Sequence, residues 1–336
     1  MALTKIAAER TYSYSHNVGM LTAFSGPVDM ALGEPGEIFV SCRASEPGAR
    51  PGRGQGWVRW NLEDDTLILN VRSQDSGERE IVWPSGLVLD SDAGRVLQAD
   101  EWRNRISSYT TKGEYLGSWG TTGSAAGQLD GPSGMRFDPE GNLVIAESRN
   151  NRIQRFDGDG NHLETWGEAG SAPGQLDMPY GIHVDNEGNV YVADWGNDRV
   201  QKFSSDGEVL SIIGASPTGV GSLTRPTGVA VDDEGDVYVA DCGNNRVQIY
   251  TADGEYITGL YGDARTLSKS AQMYVDVNPN MAKARMRADT SKEWGFFRPT
   301  AVAIAPDGMI LVAEAIPGRI QFYQKDNNYM DPQFNL

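Results

Sequence analysis

Short runs of alternating apolar and polar residues, each bounded by turn residues, recur along the chain. In the clearest set, which starts at Pro179, Ile182 and Val184 lie two residues apart, ahead of the turn 185–189. A period of two is typical of a strand with one buried face, and the Asp, Asn and Gly that follow suit a turn. The pattern predicts four short strands, which are Gly181–Val184, Val190–Ala193, Arg199–Phe203 and Val209–Ile213.

The same set of strands returns at a near-constant spacing. Copies begin at Pro84, Pro132, Pro179 and Pro226, which are 48, 47 and 47 residues apart. A degenerate copy begins at residue 27, and a last copy begins at residue 299, 73 residues after Pro226. Four antiparallel strands repeated six times predict a six-bladed β-propeller. We therefore expect an all-β fold in a single domain over residues 1–336, with blades starting near residues 27, 84, 132, 179, 226 and 299.

The last copy lacks a clear fourth strand, because it ends at the third run, Arg319–Lys325. Near the other end of the chain, Thr11–Tyr14 has strand character, and Leu21–Gly26 leads from it into the first blade. An open edge strand would invite association with other chains. We therefore predict that segment 1–26 supplies the closing strand of the last blade.

An acid and an arginine five residues apart mark most copies. The pairs are Asp100 and Arg105, Glu147 and Arg152, Asp194 and Arg199, Asp241 and Arg246, and Glu314 and Arg319. A site has no need to appear five times, whereas a guanidinium forked onto a carboxylate can join a loop to a strand in every blade. We interpret these pairs as scaffold.

The units resemble the NHL repeat. The resemblance rests on Val-Tyr-Val-Ala-Asp194 with Asn-Asp-Arg199, Val-Tyr-Val-Ala-Asp241 with Asn-Asn-Arg246, and Leu-Val-Ile-Ala-Glu147 with Asn-Asn-Arg152. It covers nearly the whole chain and implies a propeller fold. NHL propellers include protein-binding modules, RNA-binding modules and lyase-like enzymes, so the resemblance implies no single activity.

Composition narrows the classes of partner. The formal net charge of −17 argues against nucleic acid and against an anionic membrane surface. Residues 1–16 contain no apolar run of signal-peptide length, and no segment of the sequence is apolar for long enough to span a bilayer. We therefore expect a cytoplasmic location. Of the two cysteines, Cys42 and Cys242, each is expected to be a small packing residue.

The position four residues after each anchoring proline differs between copies. It holds Ala31, Val88, Arg136, His183, Ala230 and Ala303. First strands line the channel of a propeller, so we expect His183 to serve as acid or base and Arg136 to hold an anionic group. Asp29 replaces a first-strand glycine beside them. The alternative is that these side chains are simply solvated in the channel.

Loops that enter first strands and loops between second and third strands should share one face. That face would carry the binding residues Trp83, Tyr180, Arg225, Arg298, Arg43, Trp102, Arg149 and Trp195. Aromatic and arginine side chains around a funnel suit a small anionic or aromatic ligand, and they suit a protein partner equally. Two insertions, about Ala44–Gly56 and 263–297, are expected on the same face, the second as a lid with a helix near Asn280–Asp289.

The chain has three histidines, His16, His162 and His183, which are expected to lie far apart. A three-histidine zinc site, which the amidating-lyase relatives use, is therefore not expected. No cofactor is indicated with certainty, although channel carbonyls or Asp29 would suit calcium. We therefore predict a small-molecule-binding propeller with a lidded central pocket and a lyase- or hydrolase-type activity. The alternative is a non-catalytic protein-interaction scaffold that uses the same face.

Overall fold

A computed structural model describes residues 4–7, 10–20, 24–43, 55–73, 77–215 and 219–326. The described residues form six antiparallel sheets of at least four strands each, and a two-stranded parallel pair, Glu168–Ala169 with Gln175–Leu176. The first strands contact one another in a closed cycle, in which that of the sixth sheet returns to that of the first. The predicted six-bladed propeller of four-stranded antiparallel blades is therefore confirmed.

The first strand of each blade begins at an anchoring proline. From the channel outward, blade 1 contains Pro27–Leu32, Glu37–Cys42, Gly56–Asn61 and Thr66–Arg72; blade 2 contains Pro84–Asp90, Arg95–Asp100, Arg105–Thr110 and Tyr115–Trp119; blade 3 contains Pro132–Phe137, Leu143–Glu147, Arg152–Phe156 and His162–Trp166. Blade 4 contains Pro179–Val184, Val190–Asp194, Arg199–Phe203 and Val209–Ile213; blade 5 contains Pro226–Val231, Val237–Asp241, Arg246–Tyr250 and Tyr256–Leu260; blade 6 contains Pro299–Ile304, Met309–Glu314 and Arg319–Asp326.

The N-terminal strand Arg10–Gly19 completes blade 6, as predicted. It pairs antiparallel with Arg319–Asp326, from Thr11 opposite Asp326 to Gly19 opposite Arg319. The short strand Thr4–Ala7 adds a fifth position outside it. Tyr12, only 1% exposed, packs edge-on against Tyr238 of blade 5, so the closing strand also contributes to the core.

Neighbouring first strands are joined at their starting ends by side-chain hydrogen bonds. The hydroxyls of Ser85 and Ser133 donate to the carbonyls of Pro132 and Pro179, over 2.7 and 2.8 Å. Thr227 and Thr300 make the same bond to the prolines at 299 and 27. The strands approach so closely that a Cβ on Gly134 would lie 2.4 Å from the Tyr180 carbonyl oxygen. Glycine is therefore required at this point of the repeat.

The scaffold role of the recurring acid and arginine is supported in four blades. Arg152, Arg199, Arg246 and Arg319 form salt bridges with their predicted carboxylates over 2.6–2.8 Å. In blade 2 each residue binds the preceding loop separately. Asp100 accepts the backbone N–H groups of Val82 and Trp83, and Arg105 donates to the Glu80 carbonyl.

The segment between blades 5 and 6 contains two α-helices, α1 (Lys269–Asp276) and α2 (Pro279–Arg287), and a 3₁₀ turn, Thr290–Glu293. Ser268 caps α1 by accepting the Ala271 N–H, and Pro279 occupies the first turn of α2, where its missing N–H costs nothing. Two further 3₁₀ turns are Trp195–Asn197 and Cys242–Asn244. None of the helices in the described ranges is long and apolar enough to cross a bilayer.

The buried ion pair of blade 6 offers a test of the scaffold. Glu314 and Arg319 are both 0% exposed at their side chains. Replacing Glu314 with Gln leaves a buried guanidinium without its counter-charge, so the free energy of unfolding should fall by about 3–5 kcal/mol, measured by urea denaturation. Arg285→Gln, which breaks the partly exposed pair with Glu293, is the control and should cost less than about 1 kcal/mol. Equal losses would contradict the scaffold role.

Ring closure by the N-terminal strand offers a second test. Deleting residues 1–20 should lower the melting temperature strongly, because it removes the fourth strand of blade 6 and exposes the edge of the third strand. Tyr12→Ala should reproduce part of this loss, about 3–5 kcal/mol, since it empties a buried aromatic site. Ser15→Ala, on an exposed position of the same strand, should change stability by less than about 0.5 kcal/mol. A truncated protein that melts like the full chain would show that closure does not depend on this strand.

Candidate functional site

The direction of the first strands gives the propeller two different openings. In blade 4, Pro179 pairs with Asp194 at the end where the strand starts, and Val184 pairs with Val190 at the end where it finishes. We call the opening at the strand starts the upper face and the opening at the strand ends the lower face. The predicted site residues divide between them. Tyr180 lies near the upper face and His183 near the lower face, about 10 Å further along the strand.

A cavity of about 320 Å³ occupies the lower half of the channel. Most of its wall is aliphatic or aromatic. The lining includes Met30, Leu32, Leu87, Val88, Leu89, Phe137, Val229, Val231, Val302 and Ile304. Two polar side chains share this wall, His183 and Arg136. The structure therefore places both predicted catalytic residues in one cavity.

An ion pair closes the inner end of this cavity. The two terminal nitrogens of Arg136 donate to the two carboxylate oxygens of Asp29, each over 3.0 Å. Asp29 also accepts the backbone N–H groups of Leu87 and Met30. The predicted role of Arg136 was to hold an anionic group of a ligand. The anionic group that Arg136 holds in the structure is the Asp29 carboxylate, and the pair forms a polar plug across the channel. Binding of a ligand's anionic group by Arg136 stays a prediction.

His183 faces the cavity as a neutral imidazole. Burial, followed by the positive charge of Arg136, lowers its pKa to about 4, against a smaller opposing effect of Asp185. Its ring lies edge-on to Tyr191, with centroids 6.1 Å apart. Within the described part of the chain no hydrogen bond to the imidazole is found. One ring nitrogen can therefore donate and the other accept a hydrogen bond in the cavity.

The cavity opens downward into a wider mouth of about 830 Å³. Acidic side chains dominate the charged lining of this mouth, namely Asp185, Glu187, Asp232, Asp233, Glu234 and Asp307. Two lysines oppose them. Lys325 is held by Asp232, Glu234 and Asp236 over 2.6–2.9 Å, and Lys202 lies 3.9 Å from Asp185. The lower mouth therefore has an excess of negative charge.

The upper face carries a separate polar cluster around Arg43. The guanidinium donates to the Pro84 carbonyl, the Tyr180 hydroxyl and Glu101 over 2.9, 3.1 and 2.9 Å, and lies 4.7 Å from the centre of the Trp83 ring. Burial raises the pKa of Tyr180, although the charge of Arg43 opposes the shift. This cluster unites residues from blades 1, 2 and 4. Blade 1 has Val28 where blades 2 and 3 have Ser85 and Ser133. Arg43 donates to the Pro84 carbonyl, the acceptor that a hydroxyl at residue 28 would otherwise bind.

Sequence reasoning missed two members of this cluster, Glu101 and Ser148. The Ser148 hydroxyl donates to Glu101 over 3.2 Å. Both residues follow the recurring acid directly, and the six copies hold Arg43, Glu101, Ser148, Trp195, Cys242 and Ala315 there. Variation at that position was the signal that could have found them.

The remaining predicted binding residues lie around the upper rim. Arg225 stacks on Trp195 at 4.9 Å, and Arg149 pairs with Asp130 over 2.9 Å. Trp102 is 65% exposed. Arg298 lies near Cys242 and opposes the rise in the pKa of that thiol caused by burial. The insertion predicted on this face at about Ala44–Gly56 lies, over residues 44–54, outside the described residues.

The described residues contain no group of three or more His, Cys, Asp or Glu side chains placed to hold a metal ion. His16 and His162 lie on the fourth strands of blades 6 and 3, far in the fold from His183. Both oxygens of Asp29 are engaged by N–H donors.

Burial raises the pKa of Cys42 to about 12 and keeps it a thiol, as expected for a packing residue.

Comparison with known proteins agrees with this architecture. The NHL repeat model matches residues 129–156, 176–203 and 223–250, which belong to blades 3, 4 and 5. NHL repeat-containing protein 3 from Homo sapiens is 28% identical over 127 residues. The match covers 36% of this chain and 32% of that protein, so this chain spans about a third of the length of the curated relative it matches.

Two solved structures show the same fold. One is a catalytically inactive virginiamycin B lyase from Staphylococcus aureus with quinupristin, at a TM-score of 0.57 and 14% identity, covering 93% of this chain and 99% of that chain. The other is a protein of unknown function from Bacteroides thetaiotaomicron, at a TM-score of 0.61 and 18% identity, covering 94% and 76%. These identities support similarity of fold alone. With its closed ring of six sheets and its three matched repeats, the chain is a six-bladed β-propeller whose third, fourth and fifth blades match the NHL repeat model.

Proposed function

We propose that this propeller binds a small, largely apolar molecule in the lower half of its channel, with His183 as the polar anchor. The observation that carries the proposal is a free, neutral imidazole on the wall of a 320 Å³ apolar cavity. Ligand sites are concave, mainly apolar and supplied with a few convergent polar groups. The cavity fits that description, and the Asp29–Arg136 pair closes its inner end.

The charge of the lower mouth favours a neutral or cationic ligand over an anion. An anion entering this opening would pass the acidic side chains of blades 4, 5 and 6 and would find Arg136 already paired. The proposed ligand therefore differs from the anionic one expected from sequence. A hydroxyl, amine or carbonyl on an apolar body would satisfy the imidazole.

A lyase- or hydrolase-type reaction is the catalytic form of this proposal. His183 could accept a proton from a bound substrate, because its imidazole is uncharged at neutral pH. A pKa near 4 makes it a weak base. One fold neighbour is a lyase, which is a reason to test this chain for lyase activity. At 14% identity that neighbour supports no particular substrate or reaction.

Protein binding on the upper face is a second candidate function. It is favoured by the exposure of Trp83, Trp102 and Phe297, which are 45%, 65% and 51% exposed. Tryptophan and arginine dominate interface hot spots, and Arg225 and Arg298 lie on the same face. Their positive charges favour an acidic segment of a partner protein.

Binding can be tested by titrating 2-naphthol, which joins a bicyclic apolar body to one hydroxyl. The wild type should bind it saturably. His183→Leu should weaken binding about tenfold, the value of one hydrogen bond, and Ala303→Phe, which fills the cavity, should abolish it. His162→Leu is the matched control and should leave the dissociation constant unchanged. Binding that survives Ala303→Phe, or no saturable binding by the wild type, would refute the channel site.

Catalysis is tested separately with quinupristin, the ligand named for one fold neighbour. Mass spectrometry would follow any bond cleavage over time in wild type and His183→Leu. A product that depends on His183 would make the site catalytic. Intact quinupristin, with 2-naphthol still bound, would refute this lyase reaction and leave the binding proposal standing.

The protonation state of His183 can be tested through stability. Below the ordinary histidine pKa of about 6.5, His183 binds a proton in the unfolded chain. In the folded protein its pKa is about 4, so it stays unprotonated until the pH is much lower. Stability should therefore be lost as the pH falls from 6.5 towards 4. Between pH 7 and pH 5 the wild type should lose about 1–2 kcal/mol more than His183→Gln, measured by urea denaturation. Parallel profiles for the two proteins would mean that His183 titrates normally.

A further inference from the structure

The junction between blades 6 and 1 contains a second cavity, of about 770 Å³, that borders the lower mouth of the channel. Three separate segments line it: the lower turns and strands of blade 6, those of blade 1, and residues 266–269 ahead of α1. Its apolar wall is made by Val18, Leu32, Leu62, Leu267, Met309, Leu311 and Phe322. The volume lies within the range of small-molecule sites.

At two other junctions a tryptophan fills the corresponding gap. Trp119, at the end of the fourth strand of blade 2, packs on Gly160 in the outer turn of blade 3, and Trp166 packs in the same way on Gly207 of blade 4. In blade 6 the corresponding residue is Val18, which pairs with Ile320 as Trp166 pairs with Ile153. Valine is smaller than tryptophan, so Val18 leaves open at this junction space that Trp119 and Trp166 fill at theirs.

Segment 266–269 is fastened across the junction by hydrogen bonds. Asn17 donates to the Thr266 carbonyl over 3.0 Å, Ser268 donates to the Gly19 carbonyl, and Lys269 donates to the Glu63 carbonyl over 2.5 Å. The segment therefore forms a wall of the cavity that bridges blade 6 and blade 1.

Asp65 is the centre of this fastening. Its carboxylate accepts the backbone N–H groups of Gly19 and Ser270 over 2.8 and 2.7 Å and the indole N–H of Trp60 over 3.0 Å. Asp65 has a φ of 54°, in a turn whose counterparts in blades 2 to 5 use glycine. A carboxylate at this point thus joins both blades to the insertion.

The charges around the cavity select a class of ligand. Its lining includes five acids, Glu34, Glu37, Glu63, Asp65 and Asp307, and one lysine, Lys269. Glu37 is paired with Arg59, and Asp65 is held by N–H donors. Glu34, Glu63 and Asp307 are exposed at the edge of the lining. His16, stacked on Phe322 at 4.3 Å, has its pKa lowered by burial, so it adds no positive charge at neutral pH.

We propose that the junction of blades 6 and 1 is a second ligand site, which takes an amphipathic cation: an apolar ring system that carries an amine. The ring system lies against Leu62, Met309 and Phe322, and the ammonium group faces Glu34 and Glu63. The junction cavity shares Leu32 and Asp307 with the channel cavity or its mouth, whereas Met309, Glu34 and Glu63 line only the junction cavity. Changes at these three residues therefore test the junction separately.

The test compares three probes of one shape and different charge: 1-naphthylmethylamine, naphthalene-1-methanol and 1-naphthoate. Calorimetric titration at pH 7 should give at least tenfold tighter binding of the amine than of the carboxylate. The double change Glu34→Gln and Glu63→Gln should weaken the amine three- to tenfold and leave naphthalene-1-methanol unaffected. Equal binding of all three probes, or no binding, would overturn the proposal.

Location is tested by filling the cavity. Val18→Trp introduces the tryptophan found at the two junctions described above, and Met309→Trp fills the cavity from a partly exposed position should Val18→Trp fail to fold. Both changes are made in the Ala303→Phe background, which closes the channel cavity to the probe, and there either should abolish binding of the amine. In the wild-type background either should leave the His183-dependent binding of 2-naphthol unchanged. His183→Leu is the reciprocal control and should leave unaffected the part of the amine binding that depends on Glu34 and Glu63. Amine binding that survives Met309→Trp would place it elsewhere and overturn the junction site.

Discussion

The close approach of the six first strands is the constraint on which the rest of this molecule depends. A Cβ at Gly86, Gly134 or Gly181 would fall within 2.4–2.6 Å of a carbonyl oxygen on the next blade, so the upper part of the channel is packed nearly shut. Asp29 breaks the glycine pattern. Its carboxylate pairs with Arg136 across the channel, and the lower half of the channel becomes a cavity that is closed at its inner end.

The repeat allowed much of the fold to be predicted, because each blade is a local unit written in consecutive residues. The first-strand prolines, the acid–arginine pairs of blades 3 to 6, and the closing strand around Tyr12 all follow from period, alternation and the need to cover an edge. The helix predicted near Asn280 is also present, as α2. Residues of high helix propensity predict this helix. In the structure Asn278 also caps it, and Pro279 lies in its first turn.

The site could be predicted only in part, because its decisive contacts join residues distant in sequence. His183 and Arg136 were found as departures from the repeat, and they share a cavity. The pairing of Arg136 with Asp29, 107 residues away, carries no local signal. Sequence reasoning also grouped His183 with Tyr180 and Trp83, although strand direction puts the imidazole at the lower opening and the aromatic rings at the upper one. The position of the insertion could not be predicted for the same reason. Ser268 donates to the Gly19 carbonyl, and the Ser270 N–H donates to Asp65, which lies in a turn of blade 1.

The account rests on a neutral, unpartnered His183 facing an apolar cavity, and the most direct measurement observes that ring itself. Long-range ¹⁵N–¹H NMR of the imidazole, recorded from pH 7 to pH 4 with and without 2-naphthol, reports both its charge and its contacts. The account predicts a single neutral form down to about pH 5 and a change in the ring nitrogen shifts when the probe binds. A titration near pH 6.5, or nitrogen shifts that ignore a bound probe, would contradict it.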